Sequence, residues 1–185
     1  MAHRVCPWWI GYFLASPLRK LRQDPHTIVS PFVTEGMVVL EPGPGMGFFT
    51  LELARLVGPP GHVVAVDVQA KMLSALRRRA RRAQLLDRIE TRQVTGDSLG
   101  LGDLDGRVDF TLAFAMVHEV PDPARFFAEV FAALKPGAKL LLAEPKGHVN
   151  ERQFAETLEL AARSGLRTES RPVIRASHAA LLVKR

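Results

Sequence analysis

Short apolar runs alternate with amphipathic stretches along most of this 185-residue chain. The short runs are typical of buried β-strands, whereas apolar residues that recur every three or four positions predict α-helices. Alternating strands and helices favour an α/β fold with a doubly wound, mostly parallel sheet and helices on both faces. Strands are expected at 37–41, 63–67, 89–95, 108–114 and 139–144, and helices at 47–57, 70–84, 123–134 and 151–164.

Capping residues and helix breakers mark the boundaries of the later elements. Asp122 followed by Pro123 predicts a helix start, and the Lys-Pro-Gly run at 135–137 predicts the end of the same helix. Asn150 is expected to cap the next helix. Two last runs, 166–172 and 178–184, follow without a helix between them, which predicts a hairpin at the sheet edge.

The most informative stretch is a strand that breaks into glycines at alternate positions. Glu41 is followed by Gly43, Gly45 and Gly47, and a predicted helix comes next. Glycine permits a tight turn and lets a ligand approach the backbone without meeting a Cβ atom, and the helix start offers unpaired N–H groups. A dinucleotide-binding loop has the spacing G-x-G-x-x-G, whereas this loop has G-x-G-x-G, so a bound pyrophosphate is not expected.

A second predicted strand ends on Asp67, twenty residues past Gly47. An acidic side chain at this point can accept hydrogen bonds from both ribose hydroxyls of a nucleoside. The glycine loop preceded by Glu41 and the acidic end of the second strand together resemble the class I S-adenosylmethionine-dependent methyltransferases. The resemblance extends from about Val33 to the C-terminus.

The resemblance implies a seven-stranded, mostly parallel sheet with an antiparallel last strand, and S-adenosylmethionine as the cofactor. In this family an acidic residue after the third strand bonds the adenine amino group. Asp97 is the match, with Ser98 beside it, and a turn capped by Asp97 is the alternative. The cofactor-binding residues that the resemblance implies are Glu41, Gly43, Gly45, Gly47, Asp67, Val68, Gln69, Asp97, Ser98 and Ala115.

Polar residues at the ends of the fourth and fifth strands are the candidates for catalysis. Because ligands bind at the carboxyl ends of the strands in such a sheet, His118, Glu119, Glu144, Lys146 and His148 are expected to converge on one cleft. His118 is the candidate general base because its ordinary pKa of about 6.5 suits proton abstraction, and Glu119 and His148 complete the catalytic set. Lys146 is expected to contact the substrate. A cap or surface role for either histidine is the alternative, and no metal site is expected.

Residues 1–36 are expected to form an N-terminal helical and aromatic segment, and residues 37–185 the cofactor-binding domain. The segment holds both tryptophans and the only tyrosine, and Trp8 and Tyr12 are the predicted substrate contacts. Clustered aromatic side chains suit a lid over an apolar site. A helix packed on the core or a dimer contact would use the same residues, so these alternatives stay open.

Composition and charge narrow the class of protein. One cysteine rules out an internal disulfide framework and favours a reducing cytoplasm, and no run approaches the ~20 apolar residues of a membrane span. The net charge of +6 suggests nucleic acid as a partner to consider. A solvated helix face is favoured over an RNA-binding patch, because no aromatic residue lies nearby for base stacking. Much of the excess charge lies on the predicted helix 70–84, at Arg77, Arg78, Arg79, Arg81 and Arg82.

Four functional hypotheses remain from the sequence. A methyltransferase for a small-molecule acceptor is favoured, because the loop at 118–122 and the later run at 134–137 look most like the branch that includes quinone C-methyltransferases. An RNA or protein methyltransferase is the alternative. A nicotinamide-dependent oxidoreductase is disfavoured by the glycine spacing, and a non-catalytic cofactor-binding module by the intact motifs. The protein is expected to be cytoplasmic, without membrane attachment, and a monomer or homodimer.

Overall fold

The computed structural model describes residues 23–95 and 98–185. Short 3₁₀ turns lie at Leu86–Arg88, Gly102–Leu104 and Val117–Glu119. The helices are α1 (Pro25–Val29), α2 (Thr50–Leu56), α3 (Ala70–Arg82), α4 (Pro123–Ala133) and α5 (Glu151–Arg163). The strands are β1 (Val38–Pro42), β2 (His62–Asp67), β3 (Ile89–Gln93), β4 (Val108–Phe114), β5 (Leu134–Pro145), β6 (Leu166–Ser170) and β7 (Ser177–Lys184).

The seven strands form a mixed sheet in the order β3-β2-β1-β4-β5-β7-β6. The pairs β1–β2, β2–β3 and β4–β5 are parallel, whereas β7 is antiparallel to both β5 and β6. The predicted α/β fold class, with its mostly parallel seven-stranded sheet and antiparallel last strand, is therefore confirmed. The predicted hairpin is confirmed as β6–β7, and β6 is the edge strand.

Contacts group the described residues into two compact units, 23–95 and 98–185. The predicted boundary between residues 36 and 37 stays a prediction, because residues 1–22 lie outside the described part of the chain. No helix among the described residues is long and apolar enough to cross a membrane.

The unit of residues 23–95 is built on β1, β2 and β3 with α3 beside them. Val39 and Leu40 of β1 pair in register with Val63 and Val64 of β2, and each of the four is at most 1% exposed. Burial on both faces explains why these strands are continuous apolar runs rather than alternating ones. The helix α3 buries one stripe, at Met72, Leu73, Ala75, Leu76 and Ala80.

The unit of residues 98–185 contains β4 to β7, with α4 and α5 starting where the sequence predicts. The Asp122 side chain caps α4 by accepting from the Arg125 N–H at 3.0 Å. Asn150 and Gln153 form a reciprocal capping box at the start of α5, with both hydrogen bonds at 2.9 Å. These side chains satisfy backbone donors that the first helical turn leaves unpaired.

The fifth strand is longer than the sequence predicts. We expected a break at 135–137 and a strand at 139–144, but β5 begins at Leu134, directly after α4. Its register with β4 jumps from Val108↔Leu134 to Phe110↔Lys139, so residues 135–138 are accommodated as an irregularity within the ladder. Proline and glycine end the helix as expected, but the irregularity lets the chain resume pairing instead of forming a free loop.

Candidate functional site

The glycine loop between β1 and α2 is held at both ends by backbone hydrogen bonds. The Gly43 N–H donates to the Val66 carbonyl of β2 at 2.8 Å, and the Gly47 N–H donates to the Pro44 carbonyl at 3.0 Å. Gly43, Gly45 and Gly47 have φ values of 67°, 55° and 83°. These left-handed conformations are the ones that glycine adopts without steric cost, so the alternating glycines are required by the shape of the loop.

Two of the glycines serve different purposes. A Cβ atom built on Gly45 would meet no atom within 4 Å, so the backbone there is open to a ligand. A Cβ atom on Gly47 would come within 2.3 Å of Leu76 Cδ1, so this glycine allows the loop to pack directly on α3. The loop is therefore exposed at its tip and fixed against a helix behind it.

Glu41 precedes the loop and is almost completely buried, at 4% exposed. Its Oε2 atom and the Thr50 hydroxyl make no hydrogen bond among the described residues. Burial raises the pKa of Glu41 to about 8; the Asp67 carboxylate adds to the rise, and the nearby Thr50 hydroxyl opposes it. A buried carboxyl oxygen without a partner is costly, so Oε2 suits a ligand that offers a hydrogen-bond donor or a positive charge.

Asp67 closes β2 and is 9% exposed. Its Oδ1 atom accepts a hydrogen bond from the Gln69 N–H at 2.8 Å, which fixes the carboxylate at the start of α3. Val68 between them is 46% exposed, an unusual position for an apolar side chain. Asp67, Val68 and Gln69 thus lie together at the strand end where the sequence predicts cofactor contacts.

The loop after β3 is only partly described. Asp97 lies outside the described residues, whereas Ser98 belongs to the unit 98–185. The Ser98 hydroxyl donates to Glu129 Oε2 at 3.2 Å and accepts from the Gly100 N–H at 3.1 Å. The Leu99 N–H also donates to Glu129, at 2.7 Å. Ser98 is therefore part of a turn anchored to α4, and its contact with the cofactor stays a prediction.

Ala115, the last predicted cofactor residue, follows β4 in a left-handed conformation with φ of 58°. Its N–H donates to the Ala143 carbonyl of β5 at 2.7 Å. Side chains other than glycine adopt this conformation at a steric cost, and such residues are often found at functional sites. The turn at Ala115 directs the chain into the 3₁₀ turn that carries His118.

Glu144 joins the ends of β4 and β5. It is 1% exposed; its Oε1 accepts the Val117 N–H at 2.8 Å, and its Oε2 pairs with His118 Nδ1 in a short hydrogen bond. The hydrogen bond to Glu144 raises the pKa of His118 above its usual value, while partial burial of the ring opposes the rise. Because a carboxylate can only accept, Nδ1 carries the proton and Nε2 is the nitrogen left for chemistry.

Two more predicted residues lie around the same imidazole. Glu119 Oε1 is 3.8 Å from His118 Nε2, and the ring of His148 meets the ring of His118 edge-on, with 5.4 Å between centroids. Lys146 is exposed, and its N–H donates to the Ala176 carbonyl at 3.0 Å. The structure thus brings His118, Glu119, Glu144 and His148 together. No group of three or more His, Cys, Asp or Glu in residues 23–95 and 98–185 could hold a metal ion.

Trp8 and Tyr12, the predicted substrate contacts of the N-terminal segment, lie outside the described residues. Two described residues have roles that the sequence did not assign. The sequence groups Glu144 with His118 but does not identify it as the partner, and it predicts a solvated face for Arg79. Arg79 instead donates from Nη1 to the Met46 carbonyl in the glycine loop. A signal was available, since Arg79 lies three and seven positions after Leu76 and Met72 on the buried stripe of α3.

Residues 40–142, more than half of the chain, match the family described as methyltransferase domain. The chain belongs to this methyltransferase domain family. Membership implies S-adenosylmethionine as the cofactor. The resemblance to class I S-adenosylmethionine-dependent methyltransferases that the sequence predicts is therefore confirmed.

Two relatives and one solved structure show how far the similarity extends. Demethylmenaquinone methyltransferase of Lactiplantibacillus plantarum is 33% identical over 101 residues, which are 54% of this chain and 41% of its own length. The ubiquinone/menaquinone biosynthesis C-methyltransferase UbiE of Marinomonas sp. is 31% identical over 119 residues, 64% of this chain and 47% of its own. A SAM-dependent methyltransferase from Aquifex aeolicus shares the fold, with a TM-score of 0.87 and 24% identity over 98% of this chain and 100% of that one. The chain spans less than half the length of the two relatives.

The residues of the unit 23–95 fit S-adenosylmethionine. Gly45 leaves its backbone open to a ligand, and Glu41 offers a buried carboxyl oxygen without a partner, which matches the ammonium group of the methionine part. Asp67 offers a carboxylate at the end of the next strand, which matches a pair of ribose hydroxyls. These three residues therefore fit the methionine and ribose parts of the cofactor.

Proposed function

We propose that this protein transfers a methyl group from S-adenosylmethionine to a small-molecule acceptor. The observation that carries the proposal is the open glycine loop next to the buried, unpartnered carboxyl oxygen of Glu41, in a chain that belongs to a methyltransferase family. A nicotinamide-dependent oxidoreductase would require a loop for a pyrophosphate, and the spacing of these glycines does not provide one.

Each predicted cofactor residue has a defined task in this proposal. The backbone of residues 43–47 would receive the methionine part, a Glu41 carboxyl oxygen would accept from its ammonium group, and Asp67 would accept from the ribose. Asp97, with Ser98 beside it, would bond the adenine amino group, and Val68, Gln69 and Ala115 are the remaining proposed cofactor residues. When bound, S-adenosylmethionine supplies an electrophilic methyl group on a sulfonium, so the protein mainly positions the reactants and excludes water.

His118 is the general base of the proposal for an acceptor that arrives protonated. Its Nδ1 is held by Glu144, so the ring presents Nε2 as the proton acceptor. The buried carboxylate stabilises the imidazolium that forms when the proton is taken up. Glu119, 3.8 Å from Nε2, can stabilise the same charge, and His148 limits the rotation of the ring by packing against it edge-on.

The acceptor is expected to be a small aromatic molecule of quinone type. Both relatives described above carry names of quinone methyltransferases, which supports screening that class first. Lys146 and His148 are proposed as polar contacts of the acceptor. The protein is proposed to act in the cytoplasm as a monomer or homodimer.

An RNA or protein acceptor is the alternative function, and the exposed arginines of α3 favour it. Two of the five are engaged within the fold, since Arg77 donates to the Thr91 hydroxyl at 2.9 Å and Arg79 donates to Met46. Arg78, Arg81 and Arg82 are exposed and could meet phosphates. Bulk RNA binding measured across salt concentrations separates the two functions, because several phosphate contacts would make the affinity fall steeply with salt.

Calorimetric titration of S-adenosylmethionine into the purified protein tests the cofactor proposal. The parent should bind S-adenosylmethionine and not NADH. Asp67→Ala should weaken binding by roughly 1.5–3 kcal/mol, the scale for hydrogen bonds to a charged group. Asp87→Ala, a change at an exposed aspartate of the same unit, is the matched control and should leave the affinity unchanged. Equal affinities for all three proteins would rule out the assignment of Asp67.

Transfer of a labelled methyl group from S-adenosylmethionine to a panel of acceptors tests the rest of the proposal. Quinols, catechols, amines, thiols, RNA and a mixed protein extract cover the acceptor classes. Labelling of a small molecule alone would support the proposal, whereas labelling only of RNA or protein would favour the alternative function.

A further inference from the structure

The helix α3 touches the glycine loop through a charged side chain as well as through apolar ones. Met46 is 4% exposed and packs with Met72 and Ala75 of α3. Arg79, one turn further along the helix, is half-buried and donates from Nη1 to the carbonyl of the same Met46. Burial lowers the pKa of the Arg79 guanidinium, and the hydrogen bond to a carbonyl dipole offsets part of the cost of that burial. The Arg79 side chain therefore binds the glycine loop rather than extending fully into solvent.

The hydrogen bond from Arg79 completes the fixation of one peptide group. The peptide between Met46 and Gly47 is planar, so its carbonyl and its N–H point in opposite directions. The Gly47 N–H donates to the Pro44 carbonyl at 3.0 Å, and Arg79 holds the Met46 carbonyl. With both polar ends bound, the orientation of the peptide is set.

This fixation matters because Gly47 follows that peptide and Gly45 lies one residue before Met46. Gly45 and Gly47 have positive φ values and can rotate to other conformations at little steric cost. The local turn between Pro44 and Gly47 restrains only the N–H end of the peptide. Arg79, a donor from outside the loop, binds its carbonyl end.

We propose that Arg79 is a positioning residue that holds the glycine loop in the shape that binds S-adenosylmethionine. This inference rests on the proposed function for its effect on the cofactor. It assigns to one arginine of α3 a role that the other arginines do not share. The helix α3 begins directly after Asp67, Val68 and Gln69. The hydrogen bond from Arg79 therefore also connects the loop to the helix that follows the end of β2, where the ribose is proposed to bind.

Three variants test the proposal. Arg79→Met keeps much of the aliphatic length but removes the donor, and Arg79→Lys keeps a positive charge and a donor. Arg82→Met, at an exposed position of the same helix, is the matched control for the loss of one arginine. The measurements are amide hydrogen exchange of residues 43–49 in the protein alone, calorimetric affinity for S-adenosylmethionine, and the melting temperature.

Arg79→Met should speed amide exchange in the glycine loop and weaken S-adenosylmethionine binding by about tenfold. In transfer assays it should raise the KM for the cofactor more than it lowers kcat, a split that a general loss of stability would not produce. Arg79→Lys should recover most of the affinity, and Arg82→Met should match the parent. Loop exchange and affinity unchanged in Arg79→Met would overturn the inference. If the parent itself bound no S-adenosylmethionine, the proposed function would fail, whereas loop exchange would still decide the role of Arg79.

Discussion

At the residue scale, Glu144 makes His118 different from other histidines in the described part of the chain. His26 pairs with Glu52 at 2.8 Å and His62 with Glu90 at 3.4 Å, but those carboxylates are 17% and 43% exposed. Glu144 is 1% exposed and is also held by the Val117 N–H. A charge pair that is screened less by water interacts more strongly, so the contact between Glu144 and His118 is the stronger kind of pair.

If His118 is the general base, His118→Ala should lower kcat by about 10²–10⁴ and leave the affinity for S-adenosylmethionine unchanged. The base must be neutral, so the parent rate should rise with pH through the raised pKa of His118, above its usual value near 6.5. Glu144→Gln should move this limb to lower pH, because an amide no longer favours the imidazolium. Rates measured from pH 5 to 9 provide the check.

The matched control for that experiment is His26→Ala, which removes a histidine from an exposed His–Glu pair. It should leave both kcat and the pH profile of the parent in place. A cost of less than about tenfold for His118→Ala, together with a flat pH profile, would make His118 a structural residue. The reaction would then depend on positioning alone, with an acceptor that arrives deprotonated.

Glu41 gives a second prediction at the residue scale, this time for stability. Its pKa is about 8 in the folded protein against an ordinary value of 4.5, so the folded state binds the proton more tightly than the unfolded chain does. The stabilisation from this proton is complete below pH 4.5 and is lost as the pH rises through 8. Glu41→Gln should therefore be more stable than the parent at pH 8–9, without added cofactor.

Urea denaturation at pH 5, 7 and 9 checks this difference. The gain at pH 9 should be on the order of a few kcal/mol, since each tenfold change in proton affinity corresponds to about 1.4 kcal/mol. Glu159→Gln, a change at an exposed carboxyl group, is the control and should follow the parent at all three pH values. Curves for Glu41→Gln that run parallel to those of the parent would show that the buried carboxyl group is not protonated in the folded state.

At the scale of elements, the helix α3 ends in a strained residue. The Leu85 N–H donates to the Ala80 carbonyl and the Gln84 N–H to the Arg81 carbonyl, at 3.0 and 3.1 Å. This is the hydrogen-bond pattern of a Schellman motif, and it requires a left-handed residue, here Gln84 with φ of 57°. A side chain with a Cβ atom adopts this conformation at a steric cost that glycine does not have.

Gln84→Gly should raise the free energy of unfolding by about 1 kcal/mol, because glycine relieves the strain at the end of α3. Thermal unfolding followed by circular dichroism should show a rise of about 2–4 °C in Tm for a chain of this size. Gln84→Ala keeps the Cβ atom and serves as the matched control, with no gain expected. A gain shared by both variants would point to the glutamine side chain, and no gain in Gln84→Gly would exclude strain.

At the scale of the whole molecule, the comparisons support the fold over more of the chain than they support a particular acceptor. The Aquifex aeolicus structure matches 98% of this chain, whereas the two quinone methyltransferase relatives are matched over only 41% and 47% of their own length. A shared fold carries many chemistries, so the acceptor has to be argued from individual residues. The net charge of +6 would favour an anionic acceptor or RNA, so these are the alternatives that the acceptor screen has to include.

The helices, the strands and the polar residues at the strand ends could be predicted from the sequence. Apolar runs, helical periodicity and caps such as Asp122 and Asn150 are local signals, and the structure places α4 and α5 directly after those caps. The glycine spacing after Glu41 also predicts the loop, because each glycine is required locally by a positive φ or by a close approach of other atoms. Local backbone chemistry therefore sufficed for these features.

The pairing of side chains depends on the three-dimensional packing and could not be predicted. Glu144 lies 26 residues from His118 and Arg79 lies 33 residues from Met46, so no periodicity in the sequence links either pair. The two histidines and the five arginines are alike as residue types. Their environments differ because packing buries the Glu144 carboxylate beside the His118 imidazole and brings the Arg79 guanidinium to the Met46 carbonyl. Burial then determines how strong each contact is.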